Sequence, residues 1–333
     1  MQQSISYIGA LRVLATILVI LIHASTGYLN NFHPASTDWH FANALNSFSR
    51  FSVPLFVMIS GALLLNKQED IVVFYQKRVS RILGPFAFWV FVYLVYYFYR
   101  YTNFDVLPLS RVAEISIDKL LHGPSAHLWF LYMIVGLYLA VPFLRILVTY
   151  SQERALLILL LVWSLSLVIM EKSYYAYVPK IDLTFFSGYA GYMILGYYLA
   201  KKAWHIPTLF LVFLIAAIGL LNTWGTFYIS ESNNGFSPTL YNYLGLNNAI
   251  LAAAVFLLVK KLVTCPLPFA FAYLDRLSFG IYLVHIIVLN YVHPLIPFDT
   301  FLKIPLATLL TLLASSAIIF LLRKIPYVAY VSG

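Results

Sequence analysis

The chain has 333 residues, 62% of them apolar and 10% charged, with a mean hydropathy of +0.85; soluble domains usually carry about a quarter charged residues, so an ordinary soluble fold is excluded and a polytopic membrane protein is indicated. The net charge of +9 does not point to nucleic acid, because the basic residues fall singly or in pairs between apolar stretches. A single cysteine, Cys265, excludes an intramolecular disulfide framework and a cysteine-based zinc site.

A spanning helix needs roughly 20 mostly apolar residues. Ten stretches qualify, at about 7–29, 45–66, 82–100, 127–147, 154–171, 183–200, 207–225, 240–261, 274–293 and 303–323. The expected fold is therefore all-α, a polytopic helical bundle forming one membrane-embedded domain over residues 1–333. With the N-terminus in the cytoplasm, the inner segments carry Lys67, Lys77, Arg78, Arg81, Arg145, Arg154, Lys201, Lys202, Lys260, Lys261, Arg276, Arg323 and Lys324. The outer segments carry Arg100, Arg111, Lys119, Lys172, Lys180 and Lys303. This bias predicts both termini on the cytoplasmic side.

The first span is too long, and interrupted too early by Arg12, to read as a cleaved secretory signal. Residues 101–126 leave room for a short interfacial helix over 109–121, ended by Pro124. The outer loops 30–44 and 226–239 are rich in Asn, Ser, Thr and aromatic residues, a composition suited to a neutral polar ligand such as a sugar.

Ionisable groups within hydrocarbon are costly and usually face the bundle interior. Arg12 and His23 are eleven residues apart, which is three turns plus 20°, so both lie on one helical face, ~16 Å apart along the axis. A permanent cation and a titratable imidazole thus share one wall; a snorkelling arginine and a packing histidine would give the same spacing. In the second span, Arg50 lies among Ser47, Ser49 and Ser52, Pro54 predicts a kink, and Ser60-Gly61 reads equally as a packing notch or a site. Arg78 and Arg81 are neighbours on a helical surface; their forks suit phosphate oxygens, and topological anchoring explains them too. His127 opens the fourth span in His127-Leu128-Trp129-Phe130-Leu131-Tyr132, close to the outer surface, where a place in an interfacial aromatic belt would explain it. In the ninth, Ser278, Tyr282 and His285 recur on one face, as a site lining or a hydrogen-bonded packing stripe. His33 and His40 fall in a loop and receive no role. A glycan transporter or flippase would also suit many spans with internal Arg and His, although no inverted repeat is evident.

Taken in order, Arg12-x10-His23, Val53-Pro54-Leu55-Phe56-Val57-Met58-Ile59-Ser60-Gly61, Arg78-x-x-Arg81 with Pro85, His127-Leu-Trp-Phe and Ser278-Phe-Gly-Ile-Tyr282-Leu-Val-His285 resemble the acyltransferase 3 family of integral membrane acyltransferases. The stretch from Ala44 to Gly61 is most similar to the branch that includes the enterobacterial common antigen O-acetyltransferase. The resemblance implies transfer of an acetyl group from cytoplasmic acetyl-CoA to a hydroxyl of an envelope glycan or lipid-linked oligosaccharide, in the bacterial cytoplasmic (inner) membrane. Acetyl-CoA would be a co-substrate, with no permanently bound cofactor and no metal. It further implies that His23 is catalytic, that Arg12 supports it, and that Arg78 and Arg81 serve the acyl donor. Many members have Asp-Gly-Leu-Arg where this chain has Gly9-Ala10-Leu11-Arg12, so the acidic partner of Arg12 is missing from its usual place.

Overall fold

The computed structural model describes residues 2–102, 108–171, 177, 181–326 and 328–333, and those residues form helices and turns without a strand. Lys172 and Lys180, two of the expected outer cations, lie outside the described residues. The bundle is built around α1 (Gln2–Leu29). Its Leu11 and Ala15, its Val19 and Ile20, and its Ala24 and Leu29 enter three successive apolar clusters along the helix. A helix apolar around its whole circumference belongs in a bundle interior or in a membrane, and this one is the more buried kind, with contributions to every apolar cluster.

The second expected span is two helices rather than one kinked helix. α2 (Thr37–Ser47) begins seven residues into the presumed loop 30–44, because Ser36 caps it by accepting a hydrogen bond from the Trp39 amide and Asp38 sits in its first turn. The chain then turns at 48–51, through bonds from the Ser49 amide to the Asn46 carbonyl and from the Ser52 amide to the Ser49 carbonyl. α3 (Ser52–Leu64) follows. Pro54 lies in its first turn, where the missing N–H has no intrahelical partner to lose, so it starts a helix instead of bending one.

α4 (Ile71–Tyr101) is capped by Asp70 and runs unbroken past Pro85, so it begins well before the expected span at 82–100 and carries Arg78 and Arg81 on its first turns. α5 (Leu109–His122) is the anticipated short interfacial helix, with no buried residue; Gly123, at φ +91°, ends it just ahead of Pro124. α6 (Trp129–Tyr150) follows, then α7 (Glu153–Ile169), α8 (Ala190–Lys201), α9 (Thr208–Ser232), α10 (Leu246–Leu262), α11 (Phe269–Val292), α12 (Thr300–Leu322) and the short α13 (Val328–Val331). The loop expected at 226–239 is thus half helix.

Among the described residues, eight helical stretches are long and apolar enough to cross a membrane, against ten expected. The two shortfalls are α7, with 17 residues, and α8, with 12. A 12-residue helix rises only about 18 Å, short of a hydrocarbon layer of about 30 Å. α8 is instead an interior helix crossing α3 at backbone contact. A Cβ on Gly61 would meet the Met193 carbonyl oxygen at 1.9 Å, and one on Gly196 would meet that of Met58 at 2.1 Å. Gly61 is therefore the packing half of the Ser60-Gly61 pair.

The exterior is apolar, with Phe91, Leu139, Phe143, Leu161, Phe213 and Leu309 all exposed, as lipid contact requires. At the basic end, cations close helix C-termini. Arg145 Nε donates to the Leu64 carbonyl at 2.9 Å, and Lys260 Nζ donates to the carbonyls of Leu199 and Ala200 at 2.8 Å each. These residues satisfy orphan carbonyls and oppose the negative helix ends while also biasing the charge of that surface.

Candidate active site

α1 and α11 run side by side and together line two separate cavities, one towards each end of the bundle. The cavity at the basic end has a volume of about 340 Å³ and is walled by Phe56, Phe130, Ile134 and other apolar groups, with Arg12, Ser60, Arg78, Arg81, Tyr138, Ser278 and Tyr282 as its polar lining. Six expected site residues, Arg12, Ser60, Arg78, Arg81, Ser278 and Tyr282, thus converge there. Arg12 Nη1 donates to Asp275 Oδ1 in an ion pair. This supplies the carboxylate that its own helix lacks. A Cβ on Gly9 would lie 3.0 Å from Asp275 Oδ2, so the glycine makes room for a carboxylate arriving from α11. Ser278 is tied down by donating to the Asp275 carbonyl at 2.7 Å.

The charge balance of this cavity is positive. Lys77 and Arg145 share Glu69, at 2.7 and 3.2 Å; their hydrogen bonds, that of Lys77 first, hold its carboxyl below the ordinary carboxylate range. Arg78 and Arg81 form no ion pair among the described residues, and Arg78 Nε is buried without a hydrogen-bond partner. Two guanidinium groups without counter-charge beside a cavity favour an anionic occupant.

The second cavity, of about 590 Å³, opens at the other end and is lined by His23, Gly27, Tyr28, Asn31, Ser36, Asp38, Trp39, Asn290 and His293, among others. Here Tyr28 and His293 pair at 3.2 Å. Its wall comes from 23–39 and 289–294. The 226–239 segment stands behind α2 instead, where Phe227 packs on Trp39 and His40. His33 and His40 do not line it.

Three histidines and a tyrosine separate the two cavities. His23 from α1, His127 from the turn before α6 and His285 from α11 stand with ring centroids 5.3 Å (His23 to His285), 5.0 Å (His127 to His285) and 6.4 Å (His23 to His127) apart. Burial of His127, 2% exposed, rules out an interfacial role for it. Its Nδ1 lies 3.0 Å from Ser125 Oγ, and Tyr282 Oη donates to its carbonyl. Tyr282 touches the His127 and His285 rings at 5.5 and 5.6 Å while lining the basic cavity with Phe56 and Phe130. Tyr93 closes the far side, 4.9 Å from His127, with its hydroxyl on the Leu283 carbonyl at 2.9 Å.

Arg50 does not line either cavity. The break between α2 and α3 turns it over the Tyr241 ring at 4.2 Å, with Nη1 3.4 Å from Tyr243 Oη. Sequence reasoning missed Asp275 and Tyr138. An acidic residue at the edge of an apolar span was a signal for the first; nothing in the spacing marks the second among so many tyrosines.

This construction places a histidine within reach of one end of a membrane-type helical bundle and a cationic pocket at the other. A family model described as an acyltransferase domain, acyltransferase 3, matches residues 5–320. The chain belongs to that family and is a multi-pass membrane acyltransferase. No curated protein and no solved structure matches the chain.

Proposed function

We propose that the protein transfers an acetyl group from cytoplasmic acetyl-CoA to a hydroxyl of a cell-envelope glycan or lipid-linked oligosaccharide, as an O-acetyltransferase of the bacterial inner membrane with both termini in the cytoplasm. The observation that carries this reading is the pair of cavities flanking His23 along α1 and α11, one lined by Arg12, Arg78 and Arg81 and the other polar and open. The phosphates of CoA are anionic and belong with the unpaired arginines. A pantetheine arm is slender and largely uncharged, so it suits the apolar walls of Phe56, Phe130 and Ile134 on the way to Tyr282. A sugar belongs with Asn31, Asp38, Asn290 and Trp39, which offer hydrogen bonds and an aromatic surface. The enterobacterial common antigen branch supplies the acceptor class that fits best with this polar mouth. Family membership goes against the flippase reading, in which the arginine pair has no task.

In the reaction, His23 removes the proton of the acceptor hydroxyl as the oxygen forms a bond to the thioester carbonyl carbon. The C–S bond breaks, and the proton passes from His23 to the departing thiolate. Ester and free thiol result, with no net proton change. Tyr282 and its aromatic neighbours form the partition the acyl end must pass.

The test uses sealed membrane vesicles of known orientation. Acetyl-CoA is expected to react only from the face carrying Arg78 and Arg81, and an impermeant glycan acceptor only from the other. His23→Ala is expected to lower transfer by about 10²–10⁴-fold at equal protein level, the loss typical of a missing general base. Efficient reaction with both impermeant substrates on the arginine side, or near-normal transfer by H23A, would overturn the reading.

A further inference from the structure

The acyl-transfer reading assigns His23 a task and leaves His285 without one. His285 is completely buried, and its two ring nitrogens are in different situations. Nδ1 lies 2.6 Å from the Tyr282 carbonyl oxygen. A carbonyl can only accept, so Nδ1 carries the proton and the neutral ring presents a bare lone pair at Nε2. That Nε2 is buried and has no hydrogen-bond partner. Leaving an acceptor unpaired in the interior destabilises a fold, and one that stands beside a reacting group is free to take a donor during function.

Two imidazoles stand within reach, His23 and His127, and His23 is the one that also lines the open cavity. The His23 and His285 ring centroids are 5.3 Å apart with planes at 47°; an in-line N–H···N bond of ~2.9 Å between two imidazoles puts the centroids roughly 5 Å apart. A small rotation of the half-buried His23 ring therefore closes the bond without moving a helix. Tyr282 Oη cannot serve instead, because it donates to the His127 carbonyl. His127 is as near at 5.0 Å, with its plane at 75° to His285; its Nδ1 is engaged by Ser125 Oγ and its Nε2 is likewise buried without a partner, but unlike His23 it does not line the open cavity.

We infer that His285 is the positioning residue for His23: its bare Nε2 accepts the His23 ring N–H, which selects the tautomer whose other nitrogen is basic and aims that nitrogen at the acceptor hydroxyl in the open cavity. When His23 takes the hydroxyl proton it has two N–H groups, one held by His285 and one free to protonate the thiolate. His285 is itself locked by the Tyr282 carbonyl, so a backbone atom of α11 sets the geometry of a side chain on α1. The inference rests on His23 being the base.

The test follows CoA release from acetyl-CoA by the full-length protein in detergent, with a total membrane glycolipid extract as acceptor. H285L is expected to lower kcat by about 10²-fold and to leave KM for acetyl-CoA unchanged, because the basic cavity is untouched. H285Q, whose Oε1 takes the place of Nε2 as an acceptor, should recover most of that loss. In H23A, adding H285L should cost nothing further, since a residue that acts through His23 has nothing left to position. If H285L does not accumulate in the membrane, H285N replaces it, as its amide reaches the Tyr282 carbonyl but not the Nε2 position. A loss from H285L that multiplies with that of H23A, or a glutamine as poor as the leucine, would overturn the inference alone and assign His285 to packing. A cycle that is non-additive with H127A but additive with H23A would also overturn it, giving the nitrogen to His127. An H23A variant of normal activity would defeat the base assignment and this inference together.

Discussion

Replacing Asp275 by Ala removes the carboxylate that pairs with Arg12, whose side chains are 19% and 29% exposed respectively. Orphaning one member of a fully buried pair costs about 3–5 kcal/mol, whereas an exposed pair contributes about 0–1 kcal/mol. The intermediate exposure here places the loss at about 1–3 kcal/mol. Arg12 also lines the basic cavity, and Asp275 is what holds its guanidinium in place there; although the change leaves the cavity more positive, loss of that fixed orientation should outweigh the added charge and raise KM for acetyl-CoA about tenfold, which corresponds to ~1.4 kcal/mol of donor affinity. The rescue is specific to this geometry. A Cβ on Gly9 would be 2.8 Å from Leu267 Cδ1 and 3.0 Å from Asp275 Oδ2. With Ala at 275 only the flexible leucine tip stands in the way, and an aspartate at position 9 then lies one turn before Arg12 on its own helix. Gly9→Asp alone should destabilise, because it sets two carboxylates together; in the D275A background it should restore both stability and donor affinity. Thermal unfolding in detergent and acetyl-CoA saturation curves report the two quantities. A D275A protein with unchanged melting and unchanged KM, or a double variant whose defects equal the sum of the singles, would refute the reasoning.

Further outcomes follow from the same contacts. Arg78→Lys together with Arg81→Lys keeps the charge that orients the chain but loses the planar forks, so KM for acetyl-CoA should rise while membrane topology is unchanged; an unaltered saturation curve would reduce the pair to an anchor. Gly61→Ala and Gly196→Ala each drive a methyl into a carbonyl oxygen at about 2 Å, and overpacking of this kind costs at least about 1–3 kcal/mol, so both should melt several degrees lower, and normal melting of either would contradict the close α3–α8 crossing. Glu69, held below its ordinary value of 4.5 first by Lys77 and then by Arg145, contributes stability that is complete above that value and lost as pH falls through the lower folded one. The melting difference between wild type and Glu69→Gln should therefore be largest near neutral pH and shrink in acid; a difference that stays constant down to pH ~3 would remove the linkage.

The membrane class, the helical fold and the single wall shared by Arg12 and His23 were all legible in the sequence, because each depends on periodicity along one segment and on the cost of placing charge in hydrocarbon. So was the neighbourhood of Arg78 and Arg81, since a spacing of three fixes it on any helix. The surroundings of α8 were not legible, because apolar composition looks the same whether a helix meets lipid or the inside of a bundle; the backbone contact through Gly61 and Gly196 marks it as interior. Pro54 likewise reads as a kink until the turn at 48–51 shows it beginning a helix. The partner of Arg12 and the gathering of His23, His127 and His285 depend on residues more than a hundred positions apart, brought together by the packing of α1 against α11. No local pattern encodes such a distance, so the sequence determined which groups could do chemistry, and the tertiary structure alone decided which of them meet.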